Sequence, residues 1–173
     1  MYTWGEGKNG KLGHGDDTDE FNPRILEPLL GKDIIAMSCG REHTIAVTDE
    51  GEVYSWGTGA GGRLGNGKER NRFTPLAIAG LRGRYVNQVS CGEAHSAAIS
   101  GNGVLFTWGR GEYGQLGYEE QKQLVPQEVD SAPWDSKQVA QVSCGRNFTL
   151  GKRSSLLKAN WSLFTPFFSF SGD

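Results

Sequence analysis

Cysteine is scarce in this 173-residue chain, strong net charge is missing, and no long apolar run occurs. Three cysteines are an odd number and the N-terminus carries no secretory signal. A disulfide scaffold is therefore disfavoured, and a reducing, intracellular compartment such as the cytoplasm is indicated. The formal net charge of −2 gives no global field of the kind that marks nucleic-acid binders. The apolar runs fall short of the roughly 20 residues that cross a bilayer, so we predict no membrane span.

Glycine and aromatic residues are, by contrast, plentiful. The chain has 26 Gly together with five Trp, eight Phe and five Tyr. A glycine content this high fits either disorder or many tight turns between short strands, but disordered chains are poor in aromatic residues. The composition therefore favours a loop-rich globular fold, and the length suits one domain.

A glycine-rich motif recurs three times at a spacing of 52 residues. Its copies read WGEGKNGKLGHG from Trp4, WGTGAGGRLGNG from Trp56 and WGRGEYGQLG from Trp108. A proline and a Ser-Cys-Gly triplet recur at nearly the same period, and His-Thr, His-Ser or Phe-Thr begins three residues after the glycine of the triplet. The prolines are Pro23, Pro75 and Pro126, and the other positions that define the repeat include Trp4, Trp56, Trp108, Gly5, Gly57, Gly109, Cys39, Cys91, Cys144, His43 and His95. Three landmarks with one period identify tandem structural units.

Short β-branched or aromatic segments separate these landmarks. Residues 34–39 and 44–48 are strand candidates, and residues 49–52 form a hairpin turn to a third strand at 53–56. The segment after each proline, such as 76–78, is a short fourth strand, and no segment has a sustained helical period. We therefore predict an all-β fold, a partial β-propeller of about three four-stranded antiparallel blades. Each repeat tryptophan is expected between blades or beneath a glycine-rich loop.

The WG-x-G-x-x-G-x-L-G run, the Ser-Cys-Gly triplet and the histidine after it resemble the regulator of chromosome condensation repeat family. The resemblance covers residues 1–151 as three repeats, at about 4–55, 56–107 and 108–151, incomplete at both ends. It implies a seven-bladed propeller that serves as a guanine-nucleotide exchange factor for a small GTPase or as a protein-interaction module. The resemblance also allows a nuclear as well as a cytoplasmic location. The alternative is a non-catalytic scaffold propeller of a larger multidomain protein, of the ubiquitin ligase or kinase type.

Seven blades at this period need about 360 residues, roughly twice the length of the chain. We therefore hypothesise that the chain is a piece of a larger protein or a truncated splice product without independent activity. Residues 152–173 depart from the repeat pattern and are predicted to be a divergent C-terminal tail. Its many aromatic residues leave two interpretations open, a partner-binding segment and a sequence without an evolved role.

Two recurring motifs could suggest a cofactor or metal site, but each fits architecture better. The G-x-G-x-x-G runs occur once per repeat and are not followed by a helix whose N-terminus could bind phosphate. Cys39, Cys91 and Cys144 occur one per repeat rather than in close pairs. We therefore predict that these cysteines are small buried residues on an inner strand, and we predict no cofactor and no metal site.

The histidines likewise give no sign of catalysis. His43 and His95 correspond to Phe148 in the third repeat, which indicates a packed or hydrogen-bonding position. Acid–base or nucleophilic catalysis needs an orienting carboxylate and a nucleophile, and the sequence shows no such constellation. We therefore predict no catalytic residue and no small-molecule substrate.

Three positions bear on one known activity of the family that the chain resembles. That family includes a plant ultraviolet-B photoreceptor, whose light-sensing clusters place Trp directly after Cys-Gly. Arg41, Glu93 and Arg146 stand at those positions here. Light sensing by that mechanism is therefore not predicted.

Specificity is expected in the variable loops, because loops on a rigid scaffold usually carry function. Three charged loop tips differ between the repeats, one acidic, one mostly basic and one mixed. Their charged residues are Asp16, Asp17, Asp19 and Glu20; Lys68, Glu69, Arg70 and Arg72; and Glu119, Glu120 and Lys122. Either these tips are ordinary solvated loops or some of them contact a protein partner. A small GTPase is the partner that the resemblance implies, whereas the charge does not indicate chromatin contact.

Overall fold

The computed structural model describes residues 1–130 and 138–154, which contain twelve β-strands and four single turns of 3-10 helix. The strands are β1 (Tyr2–Gly5), β2 (Glu20–Ile25), β3 (Ile34–Cys39), β4 (His43–Thr48), β5 (Val53–Gly57), β6 (Arg72–Ala77), β7 (Val86–Cys91), β8 (His95–Ser100), β9 (Leu105–Arg110), β10 (Lys122–Glu128), β11 (Val139–Cys144) and β12 (Thr149–Arg153). The helical turns are Lys8–Gly10, Glu27–Leu29, Ala60–Gly62 and Ala79–Leu81. Within the described residues, none of these helices is long and apolar enough to cross a membrane.

The strands assemble into antiparallel blades. Two complete four-stranded sheets have the orders β3-β4-β5-β6 and β7-β8-β9-β10. The pair β1-β2 corresponds to the outer half of such a sheet, and the pair β11-β12 corresponds to the inner half. The predicted partial propeller is therefore confirmed. The described strands would suffice for three blades, but they form two complete blades and two half blades.

The predicted tail overlaps the last strand of the fold. Residues 152 and 153 were assigned to the tail, but they belong to β12 and pair with β11. The remainder of the predicted tail, from residue 155 onward, lies outside the described residues.

The sequence repeat and the blade are out of phase. Trp56 lies near the end of β5, which is the third strand of its blade. The stretch from β5 to β8 therefore supplies the outer two strands of one blade and the inner two strands of the next. Each repeat consequently links two neighbouring blades covalently.

The repeat prolines lie inside the outermost strands. Pro23 is in β2, Pro75 is in β6 and Pro126 is in β10. The prediction of a strand that begins after each proline was therefore wrong. Proline has no N–H for a neighbouring strand, and an outermost strand has a neighbour on one side only, so it tolerates this loss.

Two tryptophans are buried at the contacts between blades. Trp56 and Trp108 are 0% exposed, and each indole Nε1 donates a hydrogen bond of 2.9 Å to a loop carbonyl of the preceding blade, that of Lys11 or Arg63. Burying an indole removes roughly 150–250 Å² from water, and the hydrogen bond satisfies its one donor. Trp4, at the equivalent position of the first repeat, is 59% exposed, because no described blade packs against it.

A polar relay crosses the boundary between the two complete blades. His43 Nε2 lies 2.9 Å from Ser96 Oγ, and Ser96 donates its single hydroxyl proton to the carbonyl of Arg63 at 2.8 Å. His43 must therefore donate from Nε2, which leaves its Nδ1 as a buried acceptor. Trp108 donates to the same carbonyl, so one oxygen joins side chains of adjacent strands to the preceding loop.

The relay recurs one blade further along. His95 Nε2 lies 3.0 Å from Thr149 Oγ1, which donates to the carbonyl of Gln115 at 2.7 Å. Burial lowers the pKa of His95 to about 4 and that of His43 to about 3, with nearby Arg63 a second cause for His43. Both imidazoles are therefore neutral near pH 7 and act as hydrogen-bonding parts of the blade contacts.

The glycine of each Ser-Cys-Gly triplet makes room for the ring that follows it. A Cβ atom at Gly92 would lie 2.1 Å from Cε1 of His95. In the third repeat, a Cβ atom at Gly145 would lie 2.2 Å from the ring of Phe148. The ring is thus packed flat on the turn, which accounts for the recurrence of glycine in the triplet.

Candidate functional site

One end of the blades gathers the glycine-rich loops and the turns after the Ser-Cys-Gly triplets. Within β3 to β6, Cys39 pairs with Thr44, His43 with Gly57, and Gly57 with Arg72, so the intervening loops lie at the same edge. We call this end the loop face. It comprises residues 6–19, 58–71 and 111–121 and the turns 40–42, 92–94 and 145–147. All three charged tips predicted from the sequence lie on or beside this face.

A cavity opens on the loop face where the inner strands end. The inner strands β3, β7 and β11 lie side by side, β7 between the other two. The cavity has a volume of about 600 Å³. Its lining consists of Cys39, Gly40, Arg41, Cys91, Gly92, Glu93, Cys144, Gly145 and Arg146. We call this cavity the axial pocket.

Three charged side chains form an ion-pair cluster at the axial pocket. Arg41 Nη1 lies 2.5 Å from Glu93 Oε1, and Arg146 Nε bonds the other oxygen of the same carboxylate. Hydrogen bonds from Arg146 and then from Arg41 lower the pKa of Glu93, so the cluster carries one net positive charge at neutral pH. The side chains of Arg41 and Arg146 are 63% and 75% exposed, which leaves guanidinium donors facing solvent.

The turn that holds Glu93 is fixed by a buried arginine. Arg63 is 7% exposed, and its Nη1 and Nε donate hydrogen bonds of 2.9 Å to the carbonyls of Glu93 and Ala60. Burial lowers the pKa of Arg63. The backbone N–H of Glu93 donates to the carbonyl of Arg146 at 3.0 Å. The carboxylate therefore projects from a turn that is tied to both neighbouring blades.

The acidic tip has partly structural roles. Asp19 accepts a 2.9 Å hydrogen bond from the backbone N–H of Gly7, and Asp16 accepts one of 3.0 Å from the backbone N–H of Thr18. The bond from Thr18 lowers the pKa of Asp16. Asp17 is exposed on the loop. These contacts shape the loop, so a partner surface at this tip remains a prediction.

The basic and mixed tips meet through one ion pair. Glu69 lies 3.1 Å from Lys122 Nζ and also accepts a hydrogen bond of 2.9 Å from the backbone N–H of Gly61. Lys68 and Arg70 are exposed beside this contact. Further exposed residues of the mixed tip are Glu119 and Glu120, whereas Glu20, Arg72 and Lys122 are the first residues of β2, β6 and β10 rather than loop residues.

The cysteines differ in their surroundings. Cys91 is buried, its backbone N–H bonds Ser38 Oγ at 3.0 Å, and burial raises the pKa of its thiol. Cys144 is partly buried, but Cys39 is exposed, so the expectation of three buried cysteines was wrong for Cys39. The reason is that no described strand covers β3 as β3 covers β7. In the described part of the chain, no three His, Cys, Asp or Glu residues are placed to hold a metal ion.

Sequence reasoning noted Arg41, Glu93 and Arg146 only as replacements of tryptophan and missed their cluster. The signal was present as charges of alternating sign at one position of successive repeats. Arg63 was also missed, and its burial has no signal in the sequence because Lys11 and Gln115 stand at the equivalent positions.

Comparison with known proteins identifies the family to which these repeats belong. A sequence profile of the "Regulator of chromosome condensation (RCC1) repeat" matches residues 1–47, 50–99 and 102–151. The chain belongs to this repeat family. The chain is 40% identical over 149 residues to the ultraviolet-B receptor UVR8 of Arabidopsis thaliana. This alignment covers 85% of this chain and 33% of the receptor.

Similar repeats also occur in other proteins. The chain is 36% identical over 164 residues to the human E3 ubiquitin-protein ligase HERC2, covering 93% of this chain and 3% of the ligase. Its fold is similar to the crystal structure of Prp20p from Saccharomyces cerevisiae, with a TM-score of 0.78, 23% identity, and 89% of this chain and 40% of that chain covered. That structure is described together with binding of Prp20p to Gsp1p and histones. The RCC1-repeat chain thus spans a third or less of the length of these two curated relatives.

Proposed function

We propose that this chain is a protein-binding propeller segment and that its loop face makes the contact. The proposal depends on one observation, the exposed cluster of Arg41, Glu93 and Arg146 at the axial pocket. Guanidinium groups bind carboxylates through paired hydrogen bonds, so an acidic protein surface is the complementary partner. The charged loops around the cluster differ between repeats and would supply the specificity.

The relatives support an interaction role rather than a reaction centre. The aligned repeats make up only 3% of the length of the human E3 ubiquitin-protein ligase HERC2. Partner binding requires a rigid platform, and the buried tryptophans and the histidine relays between blades provide one. A scaffold role in a larger multidomain protein is therefore our first candidate.

A guanine-nucleotide exchange role for a small GTPase is the second candidate, and it would use the same face. The observation that favours it is the fold shared with Prp20p, for which binding to Gsp1p is described. Exchange would act by binding the GTPase and deforming its nucleotide site, without a chemical triad on this chain.

The test compares two double variants. Arg41→Glu with Arg146→Glu reverses both exposed charges of the cluster, and Arg82→Glu with Arg84→Glu is the matched control at the opposite end of the blades. Partners captured from cell extract by the wild type are quantified by mass spectrometry for each variant. Loss of a partner with the first pair alone supports the loop face, whereas equal loss with both pairs or with neither contradicts it.

Nucleotide release separates the two candidates. The release of labelled GDP is measured for a panel of small GTPases, Ran first, with this chain and with a longer protein that contains it. Acceleration that Arg41→Glu with Arg146→Glu abolishes would support exchange. Unchanged release throughout, with partner capture intact, would leave the scaffold role.

A further inference from the structure

A second cavity opens at the end of the blades opposite the loop face. It has a volume of about 400 Å³ and lies between residues 83–85, just before β7, and the hairpin that joins β8 to β9. Its lining includes Arg84, Tyr85, Val104 and Phe106, and we call it the hairpin cavity. It shares no residue with the axial pocket, which lies where β7 ends.

The equivalent place in the preceding blade shows what such a site holds. The residues one repeat before Arg84, Val104 and Phe106 are Lys32, Glu52 and Tyr54. The Lys32 ammonium lies 5.3 Å from the centre of the Tyr54 ring and 3.0 Å from Glu52 Oε2. The Tyr54 hydroxyl donates to the same carboxylate oxygen at 2.8 Å. This blade therefore places a carboxylate of its own on a cation that lies over an aromatic ring.

The second blade keeps the cation and the ring but has lost the carboxylate. The guanidinium carbon of Arg84 lies 5.6 Å from the centre of the Phe106 ring. Val104 stands in place of Glu52, and among the described residues no carboxylate is paired with Arg84. A guanidinium that stacks on a ring keeps its N–H donors in its own plane, where a carboxylate can accept two of them.

The floor of the hairpin cavity is apolar. Phe106 is 4% exposed and packs in one cluster with Val53 and Leu81, and Val104 packs against the same cluster. A charge-assisted hydrogen bond is stronger beside apolar groups than in open water. The exchange of Glu52 for Val104 therefore removes the internal anion and also improves the site for an external one.

Tyr85 adds an exposed aromatic ring to the cavity. It is 71% exposed and has a φ of 50°, a left-handed conformation that bulky residues rarely adopt. Asp33, one repeat earlier, does not have a positive φ. The Tyr85 carbonyl accepts a hydrogen bond of 2.8 Å from the backbone N–H of Gly101, which ties this backbone to the hairpin. The departure from the repeat thus coincides with the cavity.

We propose that the hairpin cavity is a second binding site, which takes a glutamate side chain from a peptide segment of a partner protein. The carboxylate would pair with Arg84 as Glu52 pairs with Lys32, and an aromatic neighbour of that glutamate would pack on Tyr85. A phosphate group carries about two negative charges near neutral pH, whereas Arg84 is the one charged residue in the lining. A carboxylate is therefore the better match.

Titration of the 173-residue chain with three capped dipeptides tests this chemistry. The peptides are acetyl-Phe-Glu-amide, acetyl-Phe-Gln-amide and acetyl-Phe-phosphoserine-amide. The readout is the Nε–H signal of Arg84 in ¹⁵N-labelled protein, assigned by Arg84→Lys. We expect the glutamate peptide to bind at least about 10-fold more tightly than the glutamine peptide. Equal binding of these two, binding of neither, or tighter binding of the phosphoserine peptide would overturn the proposal.

Two variants at position 104 separate charge from shape. Val104→Glu restores the carboxylate that the preceding blade has, and Val104→Gln is an uncharged control of the same shape. We expect the glutamate peptide to bind at least about 10-fold more weakly to Val104→Glu than to Val104→Gln, because the internal carboxylate then occupies Arg84. Equal affinities of the two variants would contradict recognition through Arg84.

Replacement of the arginine tests the site without a change in the packed cluster. Arg84→Gln should abolish binding of the glutamate peptide, and Arg82→Gln, at an exposed neighbour outside the cavity lining, should leave it unchanged. Binding that survives Arg84→Gln would place the peptide elsewhere and refute the assignment. Arg41→Glu with Arg146→Glu should not alter the Arg84 titration, so the hairpin cavity and the loop face can fail independently.

Discussion

Mild acid should destabilise the blade contacts through two buried histidines. His43 and His95 are 1% and 0% exposed and have pKa values of about 3 and about 4, against 6.5 for a free imidazole. Between pH 6.5 and the lowered pKa values, the histidines of the unfolded chain bind protons that those of the folded chain do not bind. The stability that the neutral histidines contribute is therefore fully present above pH 6.5 and falls as the pH decreases. Each histidine contributes about 1.2 kcal/mol of loss between pH 6 and pH 5, and the two together about 2.4 kcal/mol.

Urea denaturation followed by tryptophan fluorescence measures this loss when it is repeated between pH 7 and pH 4.5. The comparison variants are His43→Phe and His95→Phe, because Phe148 already packs on the equivalent turn of the third repeat. Each replacement should remove about half of the histidine contribution to the slope, while the contribution of the surface carboxylates remains. A double variant whose stability falls with pH as steeply as that of the wild type would refute the reasoning.

Three further predictions concern packing and reactivity. Trp108→Ala should lower the free energy of unfolding by about 3–5 kcal/mol, and Trp4→Ala by less than about 1 kcal/mol, as measured by chemical denaturation, since Trp108 is buried between described blades and Trp4 is not. Gly92→Ala should cost at least about 2 kcal/mol in the same assay because its Cβ would overlap the ring of His95. Gly101→Ala, whose Cβ would meet nothing closer than 3.4 Å, should stay within about 1 kcal/mol, and equal losses for the two would argue against the packed ring. Iodoacetamide should modify Cys39 first and Cys91 last in peptide mapping of the folded chain, because Cys91 is buried and its thiol pKa is raised, and rapid labelling of Cys91 would contradict this burial.

The blade architecture could be predicted because its causes are local and recur. Glycine at the loop positions, β-branched strands and the Trp-Gly pair of each unit repeat in register, so one copy corroborates another. The position of the outermost strands was harder to predict, because proline usually argues against a strand. Pro75 is tolerated in β6 only because that strand lies at the edge of its sheet.

The site could not be predicted because it joins residues that are distant in sequence. Arg41 and Arg146 meet through Glu93 only after three inner strands have been placed side by side. The burial of Arg63 depends on the neighbouring turn, whose carbonyl accepts its guanidinium. Patterns within one repeat carry no information about such contacts between repeats.

The offset between repeat and blade bears on how such a chain can change length. Because each repeat ends in the middle of a sheet, insertion or deletion of one unit would rejoin an inner pair of strands to an outer pair of the same type. The number of blades would change by one, and every sheet would still be closed by the same pairing of second and third strands. An arc built in this way can be lengthened or shortened without a new kind of junction, and no blade can be detached from its neighbours without breaking one of its own sheets.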